Sequence, residues 1–321
     1  MNLTLPPQAS VSVIVTGHGP FIEAIESILA QTLPPAQIII VDDGASAAVQ
    51  QVRVRYTDPK FQYFRQEHPG VAAARNTGLG AARCEYIAFL NADDHWRPTF
   101  LETMHGFLAA DPTVVCVFCN FVRFQHDTGK LLGDQFESYP ELRRPVLLRD
   151  APNAYARIPK ERAFSALVAC ADIPSYLQAM MFRRDLIGTA RFDQSLALGD
   201  DLDFALRTFM LGGVMFTDEV LAEVRCRDAD DLAARTLTAL KALAPLVTGT
   251  ADQAAFRERL IRAHIDAALS QAKLGRARAG FGTYRDIFAI PGSTLRKLKG
   301  SLRMALALLA YSRRTRRGAS G

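Results

Sequence analysis

Apolar and polar positions follow two different periods along the first hundred residues, and each change of period marks an element. Val11-Ser12-Val13-Ile14-Val15 is a short, nearly continuous apolar run, the signature of a strand buried on both faces. Gly17-His18-Gly19-Pro20 breaks it. From about Phe21 to Gln31, Ile22, Ile25, Ile28 and Leu29 recur at helical spacing and predict a helix with one buried stripe. Pro34 and Pro35 end that helix, and Ile38-Ile39-Ile40-Val41 follows as a second buried strand. Together they form a strand-helix-strand unit with parallel strands. Gln62 to Arg65 reads as a third, shorter strand, Gly70 to Ala82 as an alanine-rich helix carrying Arg75, and Tyr86 to Leu90 as a fourth strand.

Three of these strands run into polar loops. The first ends at Thr16, the second at Asp42-Asp43-Gly44 and the fourth at Asn91-Ala92-Asp93-Asp94. Ligands of open α/β sheets bind at the carboxyl ends of strands, so the three loops predict one site at one sheet edge. Adjacent carboxylates repel one another and lose hydration there, a cost that a cation or a hydrogen-bonding partner offsets. Carboxylate oxygens suit a hard divalent ion, Mg²⁺ or Mn²⁺. Taken alone, the Asn91 to Asp94 stretch is explained equally well as the cap of a helix that Pro98 helps to start, with Trp96 packing beneath.

Beyond Asn120 the alternation fades. Arg123 to Pro159 is rich in Pro, Arg and Tyr and reads as an irregular excursion where an acceptor could bind, with Arg143, Arg144 and Arg149 as either anion contacts or solvated charges. Ser175 to Arg184 reads as an apolar strand followed by a short helix. Gly199-Asp200-Asp201-Leu202-Asp203 then opens a helix reaching Arg207. Asp200 and Asp201 point about 100° apart on such a helix, so only one can face a given ligand, and either is also a good N-cap. From about Asp230 the spacing is helical throughout. The boundaries expected are 1–225 for a sheet domain, halved into 10–120 and 121–225, and 226–321 for a helical region.

Composition narrows the function classes. At 321 residues and 49% apolar content the chain is globular with a substantial core. Its five cysteines are odd in number and scattered, and Met1 to Ala9 has no apolar h-region, so a reducing, cytoplasmic setting is expected. Cys116 and Cys119 have CxxC spacing but lie in the apolar run Val114 to Phe121 without a second pair, which favours buried thiols over a zinc or redox site. The net charge of +5 is uneven: eight Lys or Arg and no acid lie between Gly292 and Gly321. That argues against a dispersed nucleic-acid surface and for a tail that meets something anionic. Leu295 to Arg317 reads as a basic amphipathic helix whose apolar core, Met304 to Tyr311, is too short to span a bilayer. It could lie peripherally on the inner membrane face or dock on its own domain.

The linked stretches VSVIVT, SILAQTLPPAQIIIVDDGAS and GVAAARNTGLGAARCEYIAFLNADD resemble the nucleotide-binding half of family 2 glycosyltransferases, and the likeness extends from about Val11 to Arg207. The resemblance implies an α/β, GT-A Rossmann-like mixed sheet flanked by helices, with a helical C-terminal appendage. It implies a hexosyltransferase-type enzyme of polysaccharide or glycoconjugate assembly. A sugar would pass from a nucleotide-diphospho-sugar, UDP-linked in many members, to a glycan or lipid-linked acceptor by single displacement with inversion. By the same resemblance Asp201 is the catalytic base, supported by Asp200. Thr16, Asp43, Arg75 and Asp93 bind the donor, and Asp94 holds Mn²⁺ or Mg²⁺ with Asn91 in support, Arg75 being equally explained by a salt bridge to a loop acid. Two positions depart from the family: Asn91 replaces the usual first acid, and Thr16 to Gly19 replaces the usual Pro-x-Tyr-Asn. They leave open a non-catalytic nucleotide-sugar-binding relative with a degenerate metal motif. A dinucleotide-binding oxidoreductase lacks support, because no GxGxxG follows the first strand.

Overall fold

The apolar runs become the middle of one sheet. The computed structural model describes residues 10–17, 21–42, 47–66, 70–125, 127–135, 155–170, 175–226, 232–274, 276–291, 296–297, 299–301 and 303–304. The first half comprises β1 (Val11–Gly17), α1 (Ile22–Leu29), β2 (Gln37–Asp42), α2 (Ala47–Arg55), β3 (Phe61–Arg65), α3 (Val71–Ala81) and β4 (Tyr86–Asn91). Next come β5 (His95–Trp96), α4 (Phe100–Ala110), β6 (Val114–Gln125), β7 (Leu131–Asp134), β8 (Tyr155–Ile158) and α5 (Lys160–Val168). Then follow β9 (Met180–Arg183), α6 (Arg184–Ile187), α7 (Asp200–Phe209), β10 (Gly213–Cys226), α8 (Leu232–Leu243), α9 (Thr250–Lys273) and α10 (Ala277–Arg285).

The chain divides into two compact units, Met1–Ser195 with Asp200–Arg227 and Leu196–Gly199 with Asp228–Gly321. In the first, the strand order is β3-β2-β1-β4-β9-β6-β10-β5, with β7 on β6 and β8 on β10. Strands β3, β2, β1 and β4 are mutually parallel, β9 runs antiparallel between β4 and β6, and β6 pairs in parallel with β10. Val13, Ile14, Val15 and Ile38 to Val41 are fully buried, as expected of strands covered on both faces. Helix α3 approaches β1 so closely that a Cβ at Gly78 would lie 2.3 Å from Ile14 Cγ2. Only glycine fits that contact without a shift. Across the sheet, Phe89, Phe182, Phe192 and Phe204 form a cluster of edge-to-face pairs, with Phe192 stacked on Phe204 at 4.1 Å.

Several expected elements differ. The described parts of 123–159 are more regular than expected: β6 continues to Gln125, β7 returns beside it, and Tyr155–Ile158 joins β10, while residues 126 and 136–154 lie outside the described residues. The polar side chains that obscured the alternation lie on the half-buried end of β6. Ser175 to Arg184 is a strand only from Met180, because Leu177–Ala179 makes a 3₁₀ turn. Strand β10 was missed. Its alternation is interrupted where its register with β6 shifts between Thr217 and Val220, and period-two patterns fail at bulges.

The second unit is helical. α9 packs against α10, and Ile261, Ile265, Ala268, Ala272, Tyr284, Ile287 and Met304 share a core. The Tyr284 hydroxyl donates to the Lys297 carbonyl at 2.8 Å. Met304, the first residue of the apolar stretch expected either to meet a membrane or to dock on its own domain, is in the unit's own core. Residues 305–317 of that stretch lie outside the described residues. Among the described residues no helix is long and apolar enough to cross a membrane.

Candidate functional site

Three strands deliver polar side chains to one edge at one level. Thr16 is in register with Val41 on one side and Asn91 on the other, and Gly17 with Asp42. Thr16 and Asp42 are buried within that edge. Asp43 and Gly44 lie outside the described residues.

The Asn91 to Asp94 loop is clamped from both sides. Asp94 is 1% exposed and both carboxylate oxygens accept hydrogen bonds: Asn91 Nδ2 donates to Oδ2 at 2.7 Å and the Arg225 backbone N–H to Oδ1 at 2.7 Å. Burial first, and the charge of Asp93 second, push its pKa up to about 7, against the pull of the Arg225 and Asn91 donors. Asn91 therefore does not merely lack a charge; its amide stabilises the neighbouring carboxylate. Asp93 is the more accessible of the two acids. Just beyond, His95 and Trp96 pair with Glu223 and Ala222 of β10, and the Trp96 indole donates to the Gln178 carbonyl at 2.7 Å. Trp96 stacks on Phe100 at 4.2 Å.

The other clamp comes from α1. The Ser27 hydroxyl accepts from the Trp96 N–H at 3.3 Å. Gln31, at the end of that helix, donates to the Arg97 carbonyl at 2.8 Å and accepts from the Leu101 N–H at 2.9 Å. These two residues are the Ser and Gln of the SILAQ stretch, so its spacing reflects support of the acidic loop. Neither Asp93 nor Asp94 caps α4: Thr99 holds the cap position and makes no side-chain cap bond.

The second acidic cluster is held by α3. Arg75 Nη1 lies 2.7 Å from Asp200 Oδ2, and each side chain is only 9% exposed. The guanidinium also sits 5.4 Å over the Phe192 ring, a favourable cation–π placement. One residue on, Asn76 binds the Phe192 backbone twice, donating to its carbonyl at 2.9 Å and accepting from its N–H at 2.8 Å. The ARN stretch thus fastens the chain before α7 and the first residue of α7 to α3. Asp200 is engaged by Arg75, whereas Asp201, half-buried, accepts from the Leu202 N–H at 2.8 Å. Farther along, Asp203 and Arg207 form an i,i+4 pair at 2.6 Å.

Sequence reasoning missed Gln31, Asn76, Gln178 and Arg225 as parts of the site. For the first two, the SxxxQ and A-R-N-x-G patterns were the available signal. Gln178 and Arg225 make their hydrogen bonds here through backbone groups, which any residue carries, and the Arg225 charge adds a weaker pull on Asp94. Cys116 and Cys119 are buried and burial pushes both thiols well above their ordinary pKa, as expected of core cysteines. Arg143, Arg144 and Arg149 lie outside the described residues. Among the described residues no group of three metal-ligating side chains occurs.

Residues 20–169 match the model of glycosyl transferase family 2. A putative glycosyltransferase, EpsH, of Bacillus subtilis (strain 168) is 31% identical over 58% of the chain and 49% of its own length. The uncharacterized glycosyltransferase EpsJ of the same organism is 28% identical over 63% and 56%. The chain therefore spans about half the length of these relatives. Among solved structures, S. aureus TarS 1-349 in complex with UDP superposes with a TM-score of 0.58 at 15% identity, covering 96% of this chain and 91% of that one. The mannosyltransferase PcManGT from Pyrobaculum calidifontis, in complex with GDP-Man and Mn²⁺, gives 0.56 at 19% identity over 96% and 83%. At such identities the likeness is one of fold.

Proposed function

We propose that the chain, whose residues 20–169 match the model of glycosyl transferase family 2 and whose fold is that of solved glycosyltransferases, moves a hexose-type sugar from a nucleotide-diphospho-sugar to a glycan or lipid-linked acceptor, by single displacement with inversion. The observation that carries this reading is the Arg75–Asp200 ion pair at 2.7 Å. It ties the start of α7, and with it Asp201, to the helix that feeds β4 and its acidic loop. Asp201, half-buried beside Asp200 at the start of α7, is the acid that would take the proton from the acceptor hydroxyl as that oxygen attacks the anomeric carbon. A positioned base of this kind supports inversion without a covalent sugar-enzyme intermediate. Arg75 acts in this scheme as a positioning residue.

At the sheet edge, Thr16 and Asp43 would meet the nucleotide, a uracil nucleotide in the favoured reading. One structural neighbour was solved with UDP and another with GDP-Man and Mn²⁺, which supports a nucleotide-linked donor and a divalent ion. The donor set fits such an ion: a hard cation needs only one or two carboxylates when diphosphate oxygens complete its shell. The expected ligand was Asp94, but its two engaged oxygens and 1% exposure favour Asp93 as first ligand, with Asp94 holding the loop. When bound, the ion would offset the charge that develops on the leaving diphosphate. The alternative, a non-catalytic nucleotide-sugar-binding relative, draws on Asn91, which supplies an amide where a charge is usual.

A thermal-shift screen of UDP-, GDP- and dTDP-sugars with and without Mn²⁺ identifies the donor, since ligand binding raises apparent stability. With that donor, Asp201→Asn should keep the shift yet lower nucleotide release and transfer by at least about 10²-fold. Near-wild-type turnover by the variant would remove Asp201 as base. A wild type that binds the donor but never turns it over would favour the non-catalytic reading.

A further inference from the structure

We propose that the helical unit binds an anionic lipid surface through the exposed face of α10. Along α10 and the 3₁₀ turn Asp286–Ala289 that follows it, Arg278, Phe281, Arg285 and Phe288 are all exposed and recur at intervals of three or four residues. That spacing puts them on one face, while Gly280, Tyr284 and Ile287 are buried on the other. Phe281 is 57% exposed and Phe288 59%. Single exposed apolar residues are ordinary, but two rings interleaved with two guanidinium groups on one helix face are not. Leu274, 47% exposed, precedes them at the end of α9 beside Lys273 and Arg276.

Charge points to the kind of partner. From Ala267 to Gly321 the sequence has 12 Lys or Arg against one acid, Asp286, and the Asp286 carboxylate lies 4.0 Å from Lys241 Nζ. Rings and an aliphatic side chain framed by cations match the headgroup boundary of an anionic bilayer, where apolar groups enter the acyl region and guanidinium groups meet phosphate. Single-stranded nucleic acid also takes rings and cations, and displacement of the vesicles by an oligonucleotide is the outcome that would point to it. Met304 is committed to the unit's core, so α10, and not the start of the C-terminal stretch, supplies this surface. The proposal does not rest on sugar transfer, because lipid binding is read without a donor.

The test is co-sedimentation of the full chain with phosphatidylcholine vesicles, with and without about 30% phosphatidylglycerol, at low salt. Binding is expected with the anionic vesicles and should fall as salt rises. Phe281→Ser with Phe288→Ser should weaken it by roughly tenfold or more. Arg278→Glu with Arg285→Glu should weaken it at least as much and flatten the salt dependence. The four positions are exposed, and an unchanged Tm would verify that the variants are folded. Any one of the following overturns the proposal: no binding by the wild type to anionic vesicles, equal binding by the double-serine variant, a wild-type dimer that this variant dissociates, or an oligonucleotide that displaces the vesicles.

Discussion

The two units use charge in opposite ways. Met1 to Arg227 carries 21 Lys or Arg and 26 Asp or Glu, a net of −5, whereas Asp228 to Gly321 carries 17 and seven, a net of +10. In the acidic sheet unit the informative charges are buried and fastened: Asp94 by two donors and Asp200 by Arg75. In the helical unit the Arg296–Glu258 pair at 2.9 Å is partly solvated, with side chains 38% and 35% exposed, and Arg259 is the buried exception. Fixing a charge in a dry site requires partners with good geometry, and such expense marks a place where position matters. Charges left in solvent set long-range attraction instead. The chain thus sets fastened, buried charges in the sheet unit against a mostly solvent-facing cationic surplus in the helical unit.

The contrast breaks most easily at the buried pair. Arg75→Met removes the cation 2.7 Å from the buried Asp200 carboxylate and should cost about 3–5 kcal/mol in urea unfolding. A loss below about 1 kcal/mol would mean that the pair behaves like a surface one. Asp94 offers a sharper measure, read in the presence of chelator. Its ordinary pKa of 3.8 is raised to about 7 by burial and by Asp93, so between those values the native state keeps a proton that the unfolded chain has lost. Its contribution is complete below about pH 4 and is lost as pH rises through about 7. Stability should therefore fall by up to ~1.4 kcal/mol per pH unit in that window. Asp94→Asn should flatten the slope; an unchanged slope would show that the carboxylate is solvated. The smallest effect belongs to the helical unit, where Glu258→Ala should change unfolding free energy by about 0.2–1 kcal/mol, less at high salt.

The half of the fold that was legible is the half whose strands are buried on both faces. Val11 to Val15, Ile38 to Val41 and Tyr86 to Leu90 have no polar face to confuse the period, and their polar ends meet at one edge. Helix α2 was invisible because its residues, Ala47–Arg55, have almost no apolar stripe. Strand β10 hid behind its own bulge. At the site, Arg75 and the paired acids stood out as types, but their partners did not. That Arg75 grips Asp200, 125 residues away, depends on the packing of α3 and α7, and the Arg225 N–H that binds Asp94 leaves no trace in any side chain.

Gln31 has a consequence for how the acidic loop can vary. Its amide grips the chain at the Arg97 carbonyl and the Leu101 N–H, and both contacts are to backbone. It therefore works as a gauge of length and not of spelling. The side chains between those two contacts can be exchanged without disturbing it, but one residue inserted or deleted there would pull a contact out of reach. Among chains that keep this glutamine, the stretch from Arg97 to Leu101 should change its letters and keep its count.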